Sequence, residues 1–308
     1  MLKTSIGTVR GKMQPGVTPS VSVIVPCYNG GQFMPQLLGS LARQTFRDFE
    51  IVIVDDGSTD AATRQELDNV DPSVRVIRQT NKGLSAARNA GITAAAADLV
   101  LTLDCDDMIA PNYLSEAAAL LDAAPADVAL VLSHQQLVGA ASGPLERHFN
   151  RFDLLFANPI PSAVLLRKSA WQEVGGYDET MREGYEDWEF YLRLMLRGFR
   201  GITIPKPYVI YNVSAGGMLF NTSSGKHANI WRSMRRKHAA AYRPLAMLRL
   251  WRVSRDGSGH DDPGHVSVLK AIAAYLMAVA LPDALFSMLI AMRRQRLLLG
   301  RRHETYAA

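Results

Sequence analysis

The sequence predicts an α/β protein whose mostly parallel sheet carries helices on both faces. Short β-branched apolar runs alternate with segments of helical apolar spacing, each run ends in polar turn residues, and 48% of the 308 residues are hydrophobic. Alternating strands and helices imply right-handed crossovers, which keep successive strands parallel. Ligands of such sheets bind beyond the carboxyl ends of the strands, so we expect a functional site in the turns there.

The individual elements follow from the periodicity of the apolar residues. Runs rich in Val, Ile and Leu predict buried strands at 21–25, 50–54, 74–77, 99–103, 128–132 and 162–166. Helical spacing, as for Phe33, Leu37 and Leu41, predicts the helices. These are 33–44, 85–97, 113–123 and 186–196, with a helical turn at 171–174.

Polar residues follow three of the predicted strands. They are the turns 26–29 (Pro-Cys-Tyr-Asn), 55–57 (Asp-Asp-Gly) and 104–106 (Asp-Cys-Asp). Because the carboxyl ends of parallel strands meet at one edge of a sheet, these turns predict one shared pocket. Asp104 and Asp106 are two residues apart in a turn, so their carboxylates can converge on a hard divalent cation. A diphosphate bridged by that cation is the expected ligand.

Composition limits the setting of the chain. Cys27 and Cys105 do not form a spaced framework, which disfavours a disulfide scaffold and a zinc site and favours a reducing, cytosolic setting. Residues 1–19 contain cations but no continuous apolar core, so we interpret them as a loose lead-in and not as a signal peptide.

The composition changes near residue 226. Residues 226–308 contain 15 of the 34 Lys and Arg residues but 5 of the 29 Asp and Glu residues. We therefore expect a domain over 20–225 and a basic, apolar, helical appendage over 226–308. Charge alone leaves three partners open for the appendage, an anionic membrane surface, a phosphorylated acceptor and nucleic acid. Nucleic acid is disfavoured because no recognition module accompanies the cations.

The last apolar segment, residues 271–292, is interrupted by Pro282 and Asp283. Neither piece reaches the length of about 20 residues that a spanning helix needs. We expect an interfacial helix or short hairpin on an anionic cytoplasmic leaflet, with the Arg residues of 293–302 supplying cations. A helix packed on the catalytic core is the alternative.

Six sequence blocks follow one another between about residues 20 and 212. They are 21–29, 51–60, 81–91, 103–107, 174–179 and 186–194. In this order and spacing the chain resembles the family 2 glycosyltransferases. The resemblance implies the GT-A fold, which is Rossmann-like and binds nucleotide sugars. It also implies an inverting, metal-dependent glycosyltransferase of the hexosyl type.

The resemblance implies a donor site made of residues that we match block by block. The expected nucleotide-binding residues are Pro26, Tyr28, Asn29, Asp56, Gly83, Arg88 and Asp104. Tyr28 and Asn29 would offer an aromatic face and an amide to a uracil-like base, and Asp56 would accept from a base N–H. Gly83 lets backbone approach the ligand, and Arg88 could neutralise phosphate from a helix surface. Packing of Tyr28 in the turn and solvation of Arg88 remain alternatives.

The same resemblance implies that Asp104 and Asp106 hold Mn²⁺ or Mg²⁺, which would offset charge on the departing nucleoside diphosphate. Cys105 is a soft ligand, so we assign it to packing. Two roles remain open for Asp107, capping the turn and contacting the metal.

For the acceptor side, the resemblance implies that Asp187 is the general base. Gly176, Glu186 and Trp188 are weaker candidates for contacting the donor or acceptor sugar. Plain structural roles remain open, because carboxylates suit a helix N-terminus, Trp188 fits a core and Gly176 fits a simple turn.

The expected function is transfer of a single sugar from a nucleotide-diphosphate sugar, with a UDP-sugar favoured, to a hydroxyl of a glycan or lipid-linked acceptor. The resemblance implies a place in surface polysaccharide biosynthesis. From the cysteine usage and the basic, apolar C-terminal segment we expect a cytoplasmic protein peripheral to the inner face of the cell membrane. The alternative is a non-catalytic GT-A-like protein that binds nucleotide sugar or carbohydrate. The presence of Asp187 and both metal carboxylates argues against it.

Overall fold

The computed structural model describes residues 18–214, 226–255, 261–262, 264 and 266–292. The predictions for most of the N-terminal lead-in and for the cations of 293–302 lie outside the described residues.

The order of elements is the predicted alternation of strands and helices. The strands are β1 Val21–Cys27, β2 Phe49–Asp55, β3 Arg75–Arg78, β4 Leu99–Thr102, β5 Met108–Ile109, β6 Val128–Gly139, β7 Gly143–Leu145, β8 Leu165–Arg167 and β9 Arg200–Val213. The helices are α1 Met34–Ala42, α2 Ala61–Asp68, α3 Leu84–Ala94, α4 Tyr113–Ala123, α5 Lys168–Glu173, α6 Glu186–Leu196, α7 His227–Lys237, α8 Pro244–Arg255 and α9 Val268–Ala280. A last helix covers 283–292.

The strands form one sheet in the order β3-β2-β1-β4-β8-β6-β9-β5, with β7 paired to β6. Strands β3, β2, β1 and β4 are parallel neighbours, and β6 and β9 are also parallel. The short strands β5, β7 and β8 run against their neighbours. The predicted class, a mostly parallel sheet, is therefore confirmed.

Helices cover both faces of the sheet, as predicted. In β1 the side chains of Val21, Val23 and Val25 face a core that includes residues of α1 and α4. Ile24, between them, faces a second core that includes residues of α3 and α6. This alternation is the period of two that a strand buried on both faces requires.

The C-terminal helices pack onto the second of these cores. Trp231 and Met234 of α7 and Phe286 of the last helix are buried in the same cluster as Trp188 of α6. The predicted break at Pro282 is present, because α9 ends at Ala280 and the next helix begins at 283. Among the described helices, none has the combination of length and apolar character that crossing a membrane requires.

Candidate active site

A cavity of about 600 Å³ opens where β1, β2 and β4 end. Several of the expected site residues line it, namely Pro26, Tyr28, Asp56, Gly83, Asp104, Asp106 and Glu186. The three polar turns therefore meet at one cavity, as the sequence predicts. Its volume lies in the range of sites for small-molecule ligands.

The turn after β1 presents an aromatic ring to this cavity. Tyr28 is 49% exposed, an unusual state for a large aromatic side chain, so its ring face is open to a ligand. Next to it, the amide of Asn29 is hydrogen-bonded to the neighbouring turn. Its Oδ1 accepts from the backbone N–H of Thr59 at 2.8 Å, and its Nδ2 donates to Thr59 Oγ1 at 3.1 Å. Asn29 thus joins two turns of the cavity wall.

Asp56 organises the loop that precedes α3. Its Oδ1 accepts from Gln79 Nε2 at 2.7 Å and from the backbone N–H of Lys82 at 2.8 Å. Its Oδ2 accepts from the backbone N–H of Gly83 at 2.8 Å. Gly83 has a φ of 93°, a conformation that glycine adopts readily. Because a carboxylate has about four acceptor sites, Asp56 keeps capacity for one further N–H.

Of the three carboxylates in the acidic turn after β4, two face the cavity and one faces the protein interior. Asp104 and Asp106 line the cavity, whereas Asp107 is buried and its Oδ1 accepts from the backbone N–H of Asn212 in β9 at 3.0 Å. Burial, followed by the charges of Asp104 and Asp106, raises the pKa of Asp107 well above its ordinary value. Asp107 therefore ties the acidic turn to β9.

Asp104 and Asp106 are the two carboxylates of this turn that could hold a divalent cation at the cavity. Burial and the neighbouring charge of Asp104 raise the pKa of Asp106 to about 6. Within the described part of the chain, no group of three or more His, Cys, Asp or Glu side chains is arranged to hold a metal. Two carboxylates plus phosphate oxygens of a ligand are a usual donor set for Mg²⁺. The pair suits a cation that is completed by the substrate.

Arg88 lies behind the cavity wall with an exposed fraction of 1%. Its Nη2 donates to Asp104 Oδ1 and its Nη1 to Glu186 Oε1, both at 2.7 Å. The structure therefore corrects the expectation that Arg88 meets phosphate from a helix surface. Its guanidinium forms ion pairs with two carboxylates, one in the acidic turn and one at the start of α6.

Asp187 lies beside Glu186 in the first turn of α6. Its Oδ1 accepts from the backbone N–H of Trp188 at 2.7 Å, and its Oδ2 accepts from Asn158 Nδ2 at 2.9 Å. Burial and the charge of Glu186 raise the pKa of Asp187 to about 7. A carboxylate with a pKa near neutrality is suited to taking a proton from a hydroxyl.

Trp188 is buried in the core, which corrects the expectation that it contacts a sugar, and the conformation of Gly176 has a packing reason of its own. Trp188 is 1% exposed, and its Nε1 donates to the carbonyl of Leu154 at 2.7 Å in the core. Gly176 has a φ of 74°, and a Cβ there would lie 2.8 Å from Asn89 Oδ1 and 3.2 Å from the ring of Trp171. The turn at Gly176 needs glycine for packing.

Helix α6 begins at an unusual backbone conformation. Tyr185, which precedes it, has a φ of 62°. Its hydroxyl is hydrogen-bonded to His227 Nδ1 at 3.0 Å, at the first residue of α7. A bulky residue in this region is strained unless its surroundings hold it there. The contact with α7 thus fixes the position from which Asp187 projects.

Sequence reasoning missed Asn158, Arg182 and Asn212. Asn158 lies in the loop between β7 and β8, and Arg182 is an exposed cation that lines the cavity. Asn212, at the end of β9, also lines it. A polar residue close to the strand end could have indicated Asn212, but no local pattern indicates Asn158, because its partner lies 29 residues away.

Comparison with known families gives one match that covers about half of the chain. A family model described as "Glycosyl transferase family 2" matches residues 22–181. The chain is 28% identical over 205 residues to the uncharacterized glycosyltransferase YwdF of Bacillus subtilis (strain 168), which is 64% of this chain and 75% of YwdF. It is 42% identical over 101 residues to the putative glycosyltransferase EpsH of the same organism, or 32% of this chain and 29% of EpsH.

Solved structures share the fold. TarS 1-349 of S. aureus in complex with UDP-GlcNAc matches with a TM-score of 0.62 at 22% identity, covering 84% of this chain and 81% of that chain. Mannosyltransferase PcManGT from Pyrobaculum calidifontis in complex with GDP-Man and Mn²⁺ matches with a TM-score of 0.54 at 18% identity, covering 95% and 84%. At these identities the likeness extends to the fold.

Proposed function

The chain belongs to glycosyl transferase family 2, and on that premise we propose that it transfers one sugar from a nucleoside-diphosphate sugar to an acceptor hydroxyl. We propose that the anomeric configuration is inverted. The observation that carries the proposal is one cavity that joins the exposed ring of Tyr28, the acidic pair and Glu186. Asp187 does not itself line the cavity but is the residue next to Glu186, which does, and this adjacency supports a proton acceptor close to the donor site.

The proposed donor is a UDP-sugar carrying a hexose. Tyr28 would stack on the base, and Asp56, with acceptor capacity left, would take the N–H of uracil. The solved structures with this fold hold UDP-GlcNAc in TarS and GDP-Man in PcManGT, which supports a nucleotide-sugar donor of the hexosyl type.

We propose that Asp104 and Asp106 hold Mn²⁺ or Mg²⁺. When bound, the cation would neutralise charge that develops on the departing diphosphate. The guanidinium of Arg88 is already paired with its two carboxylate partners. We therefore assign the direct protein contact with the diphosphate to Arg182. This side chain is exposed at the cavity, where a guanidinium can bind phosphate oxygens with two N–H groups.

Asp187 is the proposed general base. It takes the proton of the acceptor hydroxyl while the hydroxyl oxygen bonds to the anomeric carbon, and the bond from that carbon to the diphosphate oxygen breaks. The nucleoside diphosphate leaves with the bonding electrons. Because this is one displacement, the new bond forms on the opposite side of the ring. A base with a pKa of about 7 is ionised in a large fraction of molecules at neutral pH.

On the acceptor side we propose a glycan or lipid-linked hydroxyl, in surface polysaccharide biosynthesis at the inner face of the cell membrane. The division into a catalytic domain over 20–225 and a C-terminal region over 226–308 is part of this proposal. The cationic, apolar composition of the C-terminal region supports an acceptor that is presented by a membrane.

The test is a donor screen followed by product analysis. Calorimetry with Mn²⁺ should show binding of UDP and weaker binding of GDP and dTDP. With the matching UDP-sugar and an acceptor, proton NMR of the first product should show the anomeric configuration opposite to that of the donor. Absence of binding of all three diphosphates would refute the donor site, and retention of configuration would refute the single displacement.

A further inference from the structure

The C-terminal helices expose apolar strips in place of polar surface. Among the side chains of α9 that the structure describes, the exposed large ones are Leu269, Ile272 and Leu276, which are 79%, 50% and 58% exposed. Their spacing of three and four residues places them on one side of the helix. This is the side away from the core, because Ala271 of the same helix is buried there. A strip of this kind is uncommon on a surface that stays in water.

The last helix repeats the arrangement. Its exposed large residues are Leu285, Met288, Leu289 and Met292, which have the spacing i, i+3, i+4 and i+7. Phe286 and Ser287 are buried, so the helix packs on the protein with one side and exposes the other. Two successive helices thus show apolar strips with no covering segment among the described residues.

Helix α8 adds cations to the same kind of strip. Leu245 and Leu248 are exposed, and Arg249, Arg252 and Val253 continue the same side of the helix one and two turns later. Side chains of arginine keep their charge at a polar boundary while their methylene groups rest on apolar surface. A side that mixes leucine with arginine is typical of helices that lie in a lipid interface.

Acidic residues are absent from these exposed strips. The sequences of α8 and α9 contain no Asp or Glu, and Asp283, at the start of the last helix, pairs with Arg232. In the connecting segment, Asp261 pairs with Arg151, and Asp262 accepts from the backbone N–H of Phe149. Each of these described acids is thus engaged with the protein, and Asp283 stays 40% exposed beside its partner Arg232. The strips themselves consist of apolar and cationic side chains.

We propose that the exposed sides of α8, α9 and the 283–292 helix form a docking surface for an anionic lipid bilayer. The apolar strips enter the boundary between head groups and acyl chains, and Arg249 and Arg252 contact lipid phosphates. A second copy of this chain is disfavoured because a two-fold contact would bring the same cations together without an anionic partner. This inference deepens the proposed function and rests on its placement at the membrane, because it assigns the surface, outside the donor cavity, through which the protein would meet the lipid.

The docking surface is connected to the candidate active site through packing. Trp231 of α7 and Phe286 of the last helix have ring centroids 6.0 Å apart, and His227 of α7 holds Tyr185 before α6. A bilayer bound at this surface therefore lies at a defined position relative to Asp187. That suits an acceptor whose hydroxyl projects from a membrane.

The test uses the full chain and vesicles of two compositions. One is phosphatidylcholine alone, and the other is equal parts of phosphatidylcholine and phosphatidylglycerol. We expect sedimentation with the anionic vesicles and little with the neutral ones. The combination Leu269→Ser, Ile272→Ser and Leu276→Ser should weaken binding at least roughly 10-fold, because the apolar strip is lost. Leu196→Ser, an exposed apolar site on α6, is the matched control and should bind like the wild type.

The charge contribution has its own pair of variants. Arg249→Gln with Arg252→Gln should weaken binding roughly 30-fold at low salt, since each cation near an anionic surface contributes about 1 kcal/mol. Arg43→Gln with Arg75→Gln removes the same net charge from exposed positions outside the surface and should have a smaller effect. Added salt should weaken binding of the wild type.

Folding of the variants is checked by thermal unfolding. Should the triple variant unfold early, Leu269→Ser alone replaces the most exposed of the three residues and should still weaken binding about 3-fold. The proposal is overturned if the wild-type protein does not bind anionic vesicles, or if the folded triple variant binds them as well as wild type does. Equal binding to neutral vesicles would also overturn it, as would a wild-type dimer that dissociates in the triple variant with vesicle binding unchanged.

Discussion

The donor half of the candidate site and its catalytic half are built in different ways. Tyr28, Asp56 and Asp104 each follow a parallel strand, so the edge of the sheet brings them together. The position of Asp187 instead depends on a hydrogen bond from the loop residue Asn158. It also depends on the start of α6, where the hydroxyl of Tyr185 is hydrogen-bonded to His227. Local turns position the first half, whereas contacts between distant segments position the second.

The partners of the carboxylates differ accordingly. Asp56 accepts two of its three hydrogen bonds from backbone N–H groups, those of Lys82 and Gly83, which tolerate changes of side chain, and one from the side chain of Gln79. Asp187 accepts one of its hydrogen bonds from the side chain of Asn158, which a single substitution removes. The donor half should therefore resist mutation of its surroundings, and the catalytic half should be sensitive to it.

The largest effect is expected for Asp187→Asn. Removing the base should lower kcat roughly 10²- to 10⁴-fold, with the donor Kd nearly unchanged because the donor half is intact. Since folding raises the pKa of Asp187 to about 7, the ionised carboxylate is destabilising at alkaline pH. The variant should therefore unfold at the same or a higher temperature than wild type at pH 8. Full activity in a folded variant would contradict the assignment.

Asp104→Asn should weaken nucleotide binding in the donor half of the site. The variant keeps the shape of the turn but loses a proposed cation ligand and the ionic partner of Arg88. We expect affinity for UDP in the presence of Mn²⁺ to fall roughly 100-fold, while binding without Mn²⁺ changes little. Calorimetry with and without a chelator measures both. Asp122→Asn, an exposed site on α4, is the matched control, and an equal loss there would refute a specific role.

Asn158→Ala tests whether the catalytic half depends on its loop partner. Asp187 acts as a base only when ionised, so the rate should rise with pH through about 7 in the wild type. Removing a donor to the carboxylate disfavours the ionised form, which moves this rise to higher pH by roughly half a unit. Rates across a pH series measure the shift. Asn69→Ala, exposed just after α2, should leave the profile unchanged, and an unshifted profile for Asn158→Ala would contradict the positioning role.

The smallest effect on activity is expected for Trp188→Phe. The substitution leaves the carbonyl of Leu154 without the Nε1 donor, which should lower the free energy of unfolding by about 1–3 kcal/mol. Because Trp188 is buried in the core, the donor and acceptor KM values should stay within roughly twofold of wild type. Urea unfolding and steady-state kinetics check the two parts. A large rise in KM with an unchanged free energy of unfolding would instead indicate that Trp188 contacts a sugar.

The sequence predicts that the three polar turns meet at one cavity, because the signals for these turns are local. Alternation of apolar runs and polar turns identifies β1, β2 and β4, and the topology of a parallel sheet then places Tyr28 and Asp104 at one edge. The turn at Asp55 also follows from local chemistry, since its carboxylate accepts from the backbone N–H of Ser58 as a cap.

The misassigned residues share a cause. Arg88 and Trp188 were expected at the ligand because their chemistry suits one, but burial decides their roles. The packing of α3 and α6 on the sheet encloses both side chains, which no local pattern shows. Asn158 and Arg182 escaped prediction for the converse reason, because they come to the site from segments without a regular period.

The buried guanidinium of Arg88 sets a constraint on how this enzyme could be re-engineered. Because it joins Asp104 to Glu186, the two halves of the site share one ionic partner and their substitutions should not be additive. A chimera that imports the first half of a relative, up to β4, would need the carboxylate of Glu186 to match the imported arginine. We therefore expect such a chimera to keep its stability only when Arg88, Asp104 and Glu186 are transplanted together.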